Sequence, residues 1–535
     1  MRTRLMQATS LCAVILATAG IATAQFGRGG AEWMTAGSDA QRSFWIPSDF
    51  KISKAALVKP GFQLLWKLKL GNEPVQLNSL TPAVLMDRYI GYRGFRSLAF
   101  VGGSSNSLFA VDTDLARVEW QSHPSLPAPS AGSPACPGGL TANLARPTSA
   151  EYPPSGASGG GLGGRGGPAR SAVGAAGEGA VTIAPALAAA ATAAPAPNRA
   201  PNTRPPAVIY AVTADGMLRT LYISNGQESE PPVRFLPPDS NVRGFVILDD
   251  TAYAAAQGCN EAARGIWAMD LGSRKVRSWQ PPAGTVAGSA GPAFGPDGTL
   301  YVTTTGGVLA ALDPKTLLVK QTYSAGSEFS SSPVVFPFKG KDLVAAATRD
   351  GRIHLLDSAS LRSMPLFITP AYSTATFDPG ALATWQDVDG VRWLLAAASG
   401  AAGSGFSAAN GAVANGAIAA WKLADRNGAL SLDPGWISRD MQSPLTPMII
   451  NGVVFALASG EFHSGDGRLS ADERVRRSSP AVLYALDGAT GKVLWDSGKT
   501  ITSFVHSGGL SGGASQLYLE TFDENLYAFG FPIEH

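Results

Sequence analysis

The sequence predicts an all-β chain, folded as a single ring of repeated four-stranded sheets. Three observations lead there. A short apolar strand ending at an Asp and a turn recurs about eight times. Where nothing is inserted the copies keep step, with Asp313 following Asp270 by 43 residues and Asp357 following Asp313 by 44. The residues between copies read as further short strands, and a period in the forties built of strands alone is the signature of a β-propeller.

The best-preserved copy is Val482-Leu483-Tyr484-Ala485-Leu486-Asp487-Gly488-Ala489-Thr490-Gly491-Lys492-Val493-Leu494-Trp495. Apolar residues alternate up to Asp487, as in a strand with one face buried. Asp487 is placed to hold turn amides, and Gly491 supplies the positive φ that the reversal requires. Weaker copies start at Leu108, Leu218, Ile266, Leu309, Ile353, Ile418 and Leu526, the one at Ile418 being the most degenerate. Eight copies predict eight blades.

The pattern Ala485-x-Asp487-x-x-Thr490-Gly491-Lys492-x-x-Trp495 resembles the tryptophan-docking repeat of pyrroloquinoline-quinone (PQQ) type propellers. That family includes the quinoprotein alcohol dehydrogenases and the propeller lipoprotein of the bacterial outer-membrane assembly machine. The resemblance implies an eight-bladed ring in which Trp120, Trp279 and Trp495 are structural. Each would bury about 150–250 Å² between blades. For Trp495 the expectation includes an indole N–H bonded to a carbonyl of the next blade.

From the N-terminus, Arg2 and Arg4, an apolar run through Ile21 and the small residues Ala22-Thr23-Ala24 read as a secretory signal over residues 1–24. Cys12 lies within that run, which speaks against a lipoprotein anchor. No apolar stretch has the length of a transmembrane helix. The expected location is therefore the periplasm or the outside of the cell. Of 3 Cys, two remain after cleavage, and Cys136 and Cys259 pair or stay free as the compartment allows. Net charge is +2 over 535 residues, which excludes nucleic acid as a partner.

Residues 25–60 form an N-terminal extension. Within it Trp33-Met34-Thr35-Ala36-Gly37-Ser38-Asp39-Ala40-Gln41-Arg42 resembles the opening of the quinoprotein dehydrogenases. The propeller itself is expected over 61–535. Phe62-Gln63-Leu64-Leu65-Trp66-Lys67-Leu68 reads as a closing strand without a first half, whereas the copy at Leu526 lacks a closing strand after it. Each supplies what the other lacks, so the N-terminal strand is expected to complete the last blade. The first blade runs from Thr81-Pro82 to Trp120. Residues 124–206 turn to Ala, Gly, Pro and Ser, a low-complexity composition that cannot bury enough apolar surface to order itself, and the middle of this insert is expected to be a disordered loop in the second blade. Cys136-Pro137-Gly138-Gly139-Leu140 is the exception, a candidate remnant of an inner strand. Inserts at 400–416 and 460–479 delay the later repeats.

Several motifs read better as structure than as chemistry. Gly509-Leu510-Ser511-Gly512-Gly513 matches a nucleophile elbow, but the residues after it form a strand where a helix is needed. Asp466-Gly467 with Glu473 matches part of a calcium loop whose first ligand position holds Phe462. Gly488 to Lys492 has the wrong glycine spacing for a phosphate loop. There is no Cys-x-x-Cys-His for haem, no adjacent cysteine pair of the kind quinoproteins place beside their cofactor, and no metal-ligand spacing among 5 His.

A ligand in such a ring would sit in the funnel at one end of the central channel. The candidate cofactor-binding residues there are Trp385, Glu328, Arg439, Asp440 and His506, with Trp385 offering a flat face to a quinone. No catalytic residue and no metal ligand is singled out. The expected function is a non-catalytic periplasmic binding or assembly scaffold, taking a protein partner or a small molecule in the funnel. The alternative implied by the resemblance is a dehydrogenase of alcohols or sugars using PQQ with calcium, and a further enzyme class such as a lyase or hydrolase stays open.

Overall fold

A computed structural model describes residues 32–91, 94–126, 137–152, 207–257, 259, 263–362, 364–374, 377–401, 403–463, 469–506 and 509–532. The expected secretory signal lies outside them, as does most of the Gly/Ala/Pro-rich insert. Eight antiparallel sheets form the ring expected from the repeats. Every one of the eight recurring copies is the third strand of a blade, counted outward from the channel. Among them are Leu108–Asp112, Met217–Tyr222, Gly265–Asp270, Val308–Leu312, Arg352–Asp357, Gly416–Arg426 and Val482–Asp487. These strands are buried on both faces because each blade packs against two neighbours, which is why their alternation relaxes into nearly continuous apolar runs.

The ring closes as the two unpaired halves require. Leu510–Gly513, Gln516–Glu520 and Asn525–Gly530 make the inner three strands of blade 8. Gln63–Lys69 adds the fourth, antiparallel, with Gln63 opposite Gly530 and Lys69 opposite Asn525. The seam therefore exposes no sheet edge.

Between blades, tryptophans of the outer strands dock onto the next blade's turn. Trp436 of blade 6 is 1% exposed, and its indole N–H donates to the Gly488 carbonyl of blade 7 at 2.9 Å. Its ring lies over Gly491, where a Cβ would come within 2.4 Å of it, so the repeat's second glycine is kept for this contact as well as for its φ of 71°. Trp120 repeats the arrangement on Gly226 of blade 2, donating to the Ile223 carbonyl at 2.7 Å. Trp66 of the closing strand donates to the Thr113 carbonyl of blade 1 at 3.0 Å.

Trp495 departs from the expectation. It is half-buried, stands edge-on to Phe62 and Phe529 at 4.9 and 5.8 Å, and makes no indole hydrogen bond among the described residues. The cause is topological. Its neighbour is blade 8, the one blade whose third and fourth strands come from opposite ends of the chain, so no tight turn offers a carbonyl there.

The expected insert is also shorter than its composition suggests. Residues 137–152 are packed structure. Ala145 exchanges backbone hydrogen bonds with Tyr210, taking the innermost place of blade 2. Pro147–Thr148 then runs parallel to blade 3 opposite Ile247 and Leu248, and the Tyr152 hydroxyl donates to Asp342 of blade 5 at 2.7 Å. Backbone pairing and burial of Leu144, Ala145 and Arg146 order a segment whose composition alone reads as a linker. Cys259 is disulfide-bonded, while Cys136 lies outside the described residues.

The N-terminal extension is the least anticipated element. Residues 33–52 form a strap that follows the channel wall and meets the blades in chain order. The carbonyls of Trp33, Ala40, Gln41, Ser43 and Phe44 accept from the amides of Leu85, Phe294, Val335, Thr384 and Ile449, inner-strand residues of blades 1, 4, 5, 6 and 7. Arg42 pins its middle. That side chain is fully buried, and its guanidinium donates to the carbonyls of Ala36, Gly244 and Pro292 at 2.6–2.9 Å. At the strap's end Asp49 accepts from Ser515 of blade 8.

Candidate functional site

In an antiparallel blade the loop entering the inner strand and the loop between the second and third strands lie at the same end of the ring. At that end the channel opens into a cavity of about 190 Å³. Residues that lead into the inner strands of blades 1 to 4 and 8 form its walls, among them Asn78 to Pro82, Leu140 to Asn143, Arg243, Ser289 and His506. Its floor is the strap, through Trp33, Gly37 and Phe44.

A cluster of charged and ionisable side chains lies on the rim, around Glu461. Just past the buried strand Val453–Ala458, this side chain is 0% exposed. His506 Nδ1 lies 3.0 Å from both of its oxygens, and His463 Nε2 lies 3.4 Å from one. Arg474 adds an ion pair. It is carried by the helix Ala471–Arg477, which starts in a capping box between Ser470 and Glu473. Glu473 thus caps a helix, the structural reading of what resembled a calcium loop. Burial pushes the Glu461 carboxyl up, but charge and hydrogen bonds from His506 and His463 outweigh it and bring the pKa down to about 2.

The five candidate residues fare differently. His506 lines the cavity and holds Glu461. Glu328, also at this end, pairs with Arg349 at 2.8 Å, both half exposed. Arg439 lies over the Tyr484 ring at 4.7 Å, with its Nε buried and without an acceptor. Asp440 is spent on structure. It accepts from the amides of Ala414 and Asn415 and from the Asn415 side chain at 2.6–2.9 Å, tethering the insert at 400–416. Although burial raises its pKa, those bonds hold it below the ordinary carboxylate value.

Trp385 is placed away from the funnel. It is 4% exposed, stacks on Trp393 at 6.2 Å, and rests against Gly452 and Gly488, turns at the opposite end of the ring. The alternation of a strand tells which residues face inward but not which end of the channel they reach. Only His506 of the five therefore touches the cavity, and Glu461, Arg474 and Arg243 are the site residues that sequence reading missed. Glu461 left one signal, an acid next but one to a His directly after a fully apolar strand.

A second buried carboxyl sits at the seam between blades 8 and 1. Glu520 is 6% exposed and accepts from the Ala83 amide at 3.0 Å, next to the cavity residues Thr81 and Pro82. Burial pushes its pKa up to about 8, opposed only by backbone hydrogen bonds among the described residues. Between 4.5, its ordinary value, and 8 the folded chain keeps a proton that the unfolded chain releases. Stability then falls as pH rises through that window, by at most about 1.4 kcal/mol per pH unit. Glu461 acts in the opposite sense, and its contribution is lost as pH falls from 4.5 towards 2. Urea midpoints of Glu520→Gln are expected to lose most of the decline between pH 5 and 8 while keeping the acid limb. An unchanged decline would show that Glu520 does not cause it.

The other motifs resolve as structure. Ser511 lies in the strand Leu510–Gly513 with another strand after it, so no elbow forms. Among the described residues no group of three His, Cys, Asp or Glu is arranged to hold a metal ion, and no helix is long and apolar enough to cross a membrane.

Residues 252–497 match a family model described as "Outer membrane protein assembly factor BamB". No curated protein matches the chain significantly. Among solved structures, a europium-containing methanol dehydrogenase superposes with a TM-score of 0.58 at 11% identity, covering 94% of this chain and 98% of that one. The quinohemoprotein alcohol dehydrogenase from Comamonas testosteroni gives 0.54 at 13% identity, covering 94% and 82%. Quinohemoprotein alcohol dehydrogenase ADHIIG from Pseudomonas putida HK5 gives 0.53 at 12%, with the same coverages. At such identities the likeness is one of fold.

Proposed function

The chain is a β-propeller of the PQQ-repeat type, and from that premise we propose that it acts as a non-catalytic periplasmic scaffold, binding a partner at the funnel end of the ring. One observation carries this reading: the chain's own N-terminal strap floors the funnel. The remaining cavity, about 190 Å³, is small beside the roughly 300–1,000 Å³ of ordinary ligand pockets. The family match to an assembly factor supports the same direction.

The residues present do not fit a quinone with a metal. The buried carboxylate on the rim, Glu461, is already engaged by His506, His463 and Arg474. A cation placed there would have to displace those partners. The aromatic face once assigned to the quinone, Trp385, lies at the other end. What the funnel end offers a protein partner is a rim of loops carrying exposed and half-exposed charges, including Glu328, Arg349 and His463.

Titration of the purified protein with PQQ and calcium tests the proposal. The scaffold reading expects no change in melting temperature and no shift in quinone absorbance. A calcium-dependent rise in melting temperature, with dye reduction on adding an alcohol, would replace it with the dehydrogenase reading.

A further inference from the structure

At the far end of the channel from the funnel, a second cavity of about 180 Å³ lies between the strap and blades 5 and 6. Its apolar walls are Trp45 of the strap and Val335, Phe336 and Pro337 of blade 5. Its polar content is unusual because two of its buried lining side chains each carry an atom with no hydrogen-bond partner. Arg392, the first residue of the strand Arg392–Ser399, is 5% exposed. Its guanidinium sits between the rings of Trp45 and Phe336, at 5.5 and 5.9 Å from their centres. It has no acidic neighbour in an ion pair among the described residues. Its side-chain hydrogen bond is a long one, 3.5 Å from Nη2 to Gln386 Oε1, and its Nε has no acceptor at all. Across the pocket Gln41 is 1% exposed, with Nε2 donating to the Ala150 carbonyl at 2.6 Å and Oε1 left without a donor.

A buried cation without a counter-ion is costly, and removing it from water is offset only when charge and hydrogen bonds are returned to it. The two aromatic faces return only part of that cost. Asp342, opposite the wall residue Pro337 in blade 5, already accepts the Tyr152 hydroxyl. The cavity therefore lacks one component, an anion small enough to enter and apolar enough to suit the walls.

We propose that this cavity is a binding site for a small organic monocarboxylate. Its carboxylate accepts from Arg392 Nε, its apolar body lies among Trp45, Phe336 and Pro337, and a donor on the ligand, where present, meets Gln41 Oε1. One cation among apolar walls matches a single negative charge, whereas a phosphate dianion would bring a second charge with no partner. The volume equals that of roughly six waters at about 30 Å³ each, a space on the scale of benzoate.

Saturation-transfer NMR and thermal shifts with benzoate and phenylacetate test this, with benzyl alcohol and inorganic phosphate in parallel. Both carboxylates are expected to give saturation transfer and to raise the melting temperature, while the alcohol and phosphate give neither. Arg392→Gln is expected to weaken benzoate at least about tenfold. If that variant does not fold, Arg392→Lys serves, since it keeps the charge and loses the Nε donor, with the same weakening expected. Silence of the wild type towards both carboxylates up to about 10 mM overturns the proposal. So does an equal response to benzyl alcohol, a response to phosphate only, or undiminished benzoate binding by the folded variants.

Discussion

Replacing residues 63–69 with a Gly/Ser stretch of equal length is expected to destabilise the whole ring, with hydrogen-exchange protection lost over 510–530 and in the neighbouring blades together. The replaced strand supplies the outer ladder of blade 8, from Gln63 opposite Gly530 to Lys69 opposite Asn525. It also carries Trp66, whose indole ties blade 8 to blade 1 through Thr113. Net backbone hydrogen bonds contribute about 1 kcal/mol each, and a docked Trp about 3–5 kcal/mol. The combined loss, about 5 kcal/mol or more, is comparable with the whole stability of an ordinary domain. Keeping the chain length constant separates loss of the strand from loss of the connection to the strap. Normal protection over 510–530 in the variant would mean that the seam is held by something other than this strand.

The second large effect belongs to a tryptophan other than the one that marks the repeat most clearly. Trp436→Ala is expected to cost about 3–5 kcal/mol, because it empties a site that is 1% exposed and leaves the Gly488 carbonyl without its donor. Trp495→Ala is expected to cost distinctly less, since that ring is half-buried and makes no indole hydrogen bond among the described residues. Urea denaturation of the two variants side by side measures the difference. Equal losses would show that the docking carbonyl contributes nothing beyond ring burial.

The ring was legible because its signal is local and repeated. Asp487 accepts the Ala489 amide and Gly491 turns at φ 71°, and both act within the copy that shows them. Closure was legible from two orphaned halves, although their partners lie at opposite ends of the chain. The site was not, because its members share no local pattern. Glu461 and His506 are 45 residues apart, and Arg474 arrives on a helix inside a charged insert. Arg392 comes from blade 6 and Gln41 from the strap, and what distinguishes them is one buried side-chain atom each without a hydrogen-bond partner, which no sequence motif records. The path of the strap across the blades was not legible because its bonds to blades 1, 4, 5, 6 and 7 run through its carbonyls, which leave side-chain identity free.

The strap also orders events in time. Residues 33–52 are synthesised before any blade, yet they hydrogen-bond to inner strands from Leu85 to Ile449 and to the Ser515 turn of blade 8, a separation that reaches 466 residues. Contacts of that span are slow to form, since the chain between them must be ordered first. The strap thus cannot complete its contacts until the last blade exists. Through that interval the incomplete ring carries an open strand edge and a hollow centre, both prone to wrong pairing. Docking of the strap is then the step that ends the vulnerable period, converting a sequence of eight partly formed sheets into one cooperative unit at a single late moment.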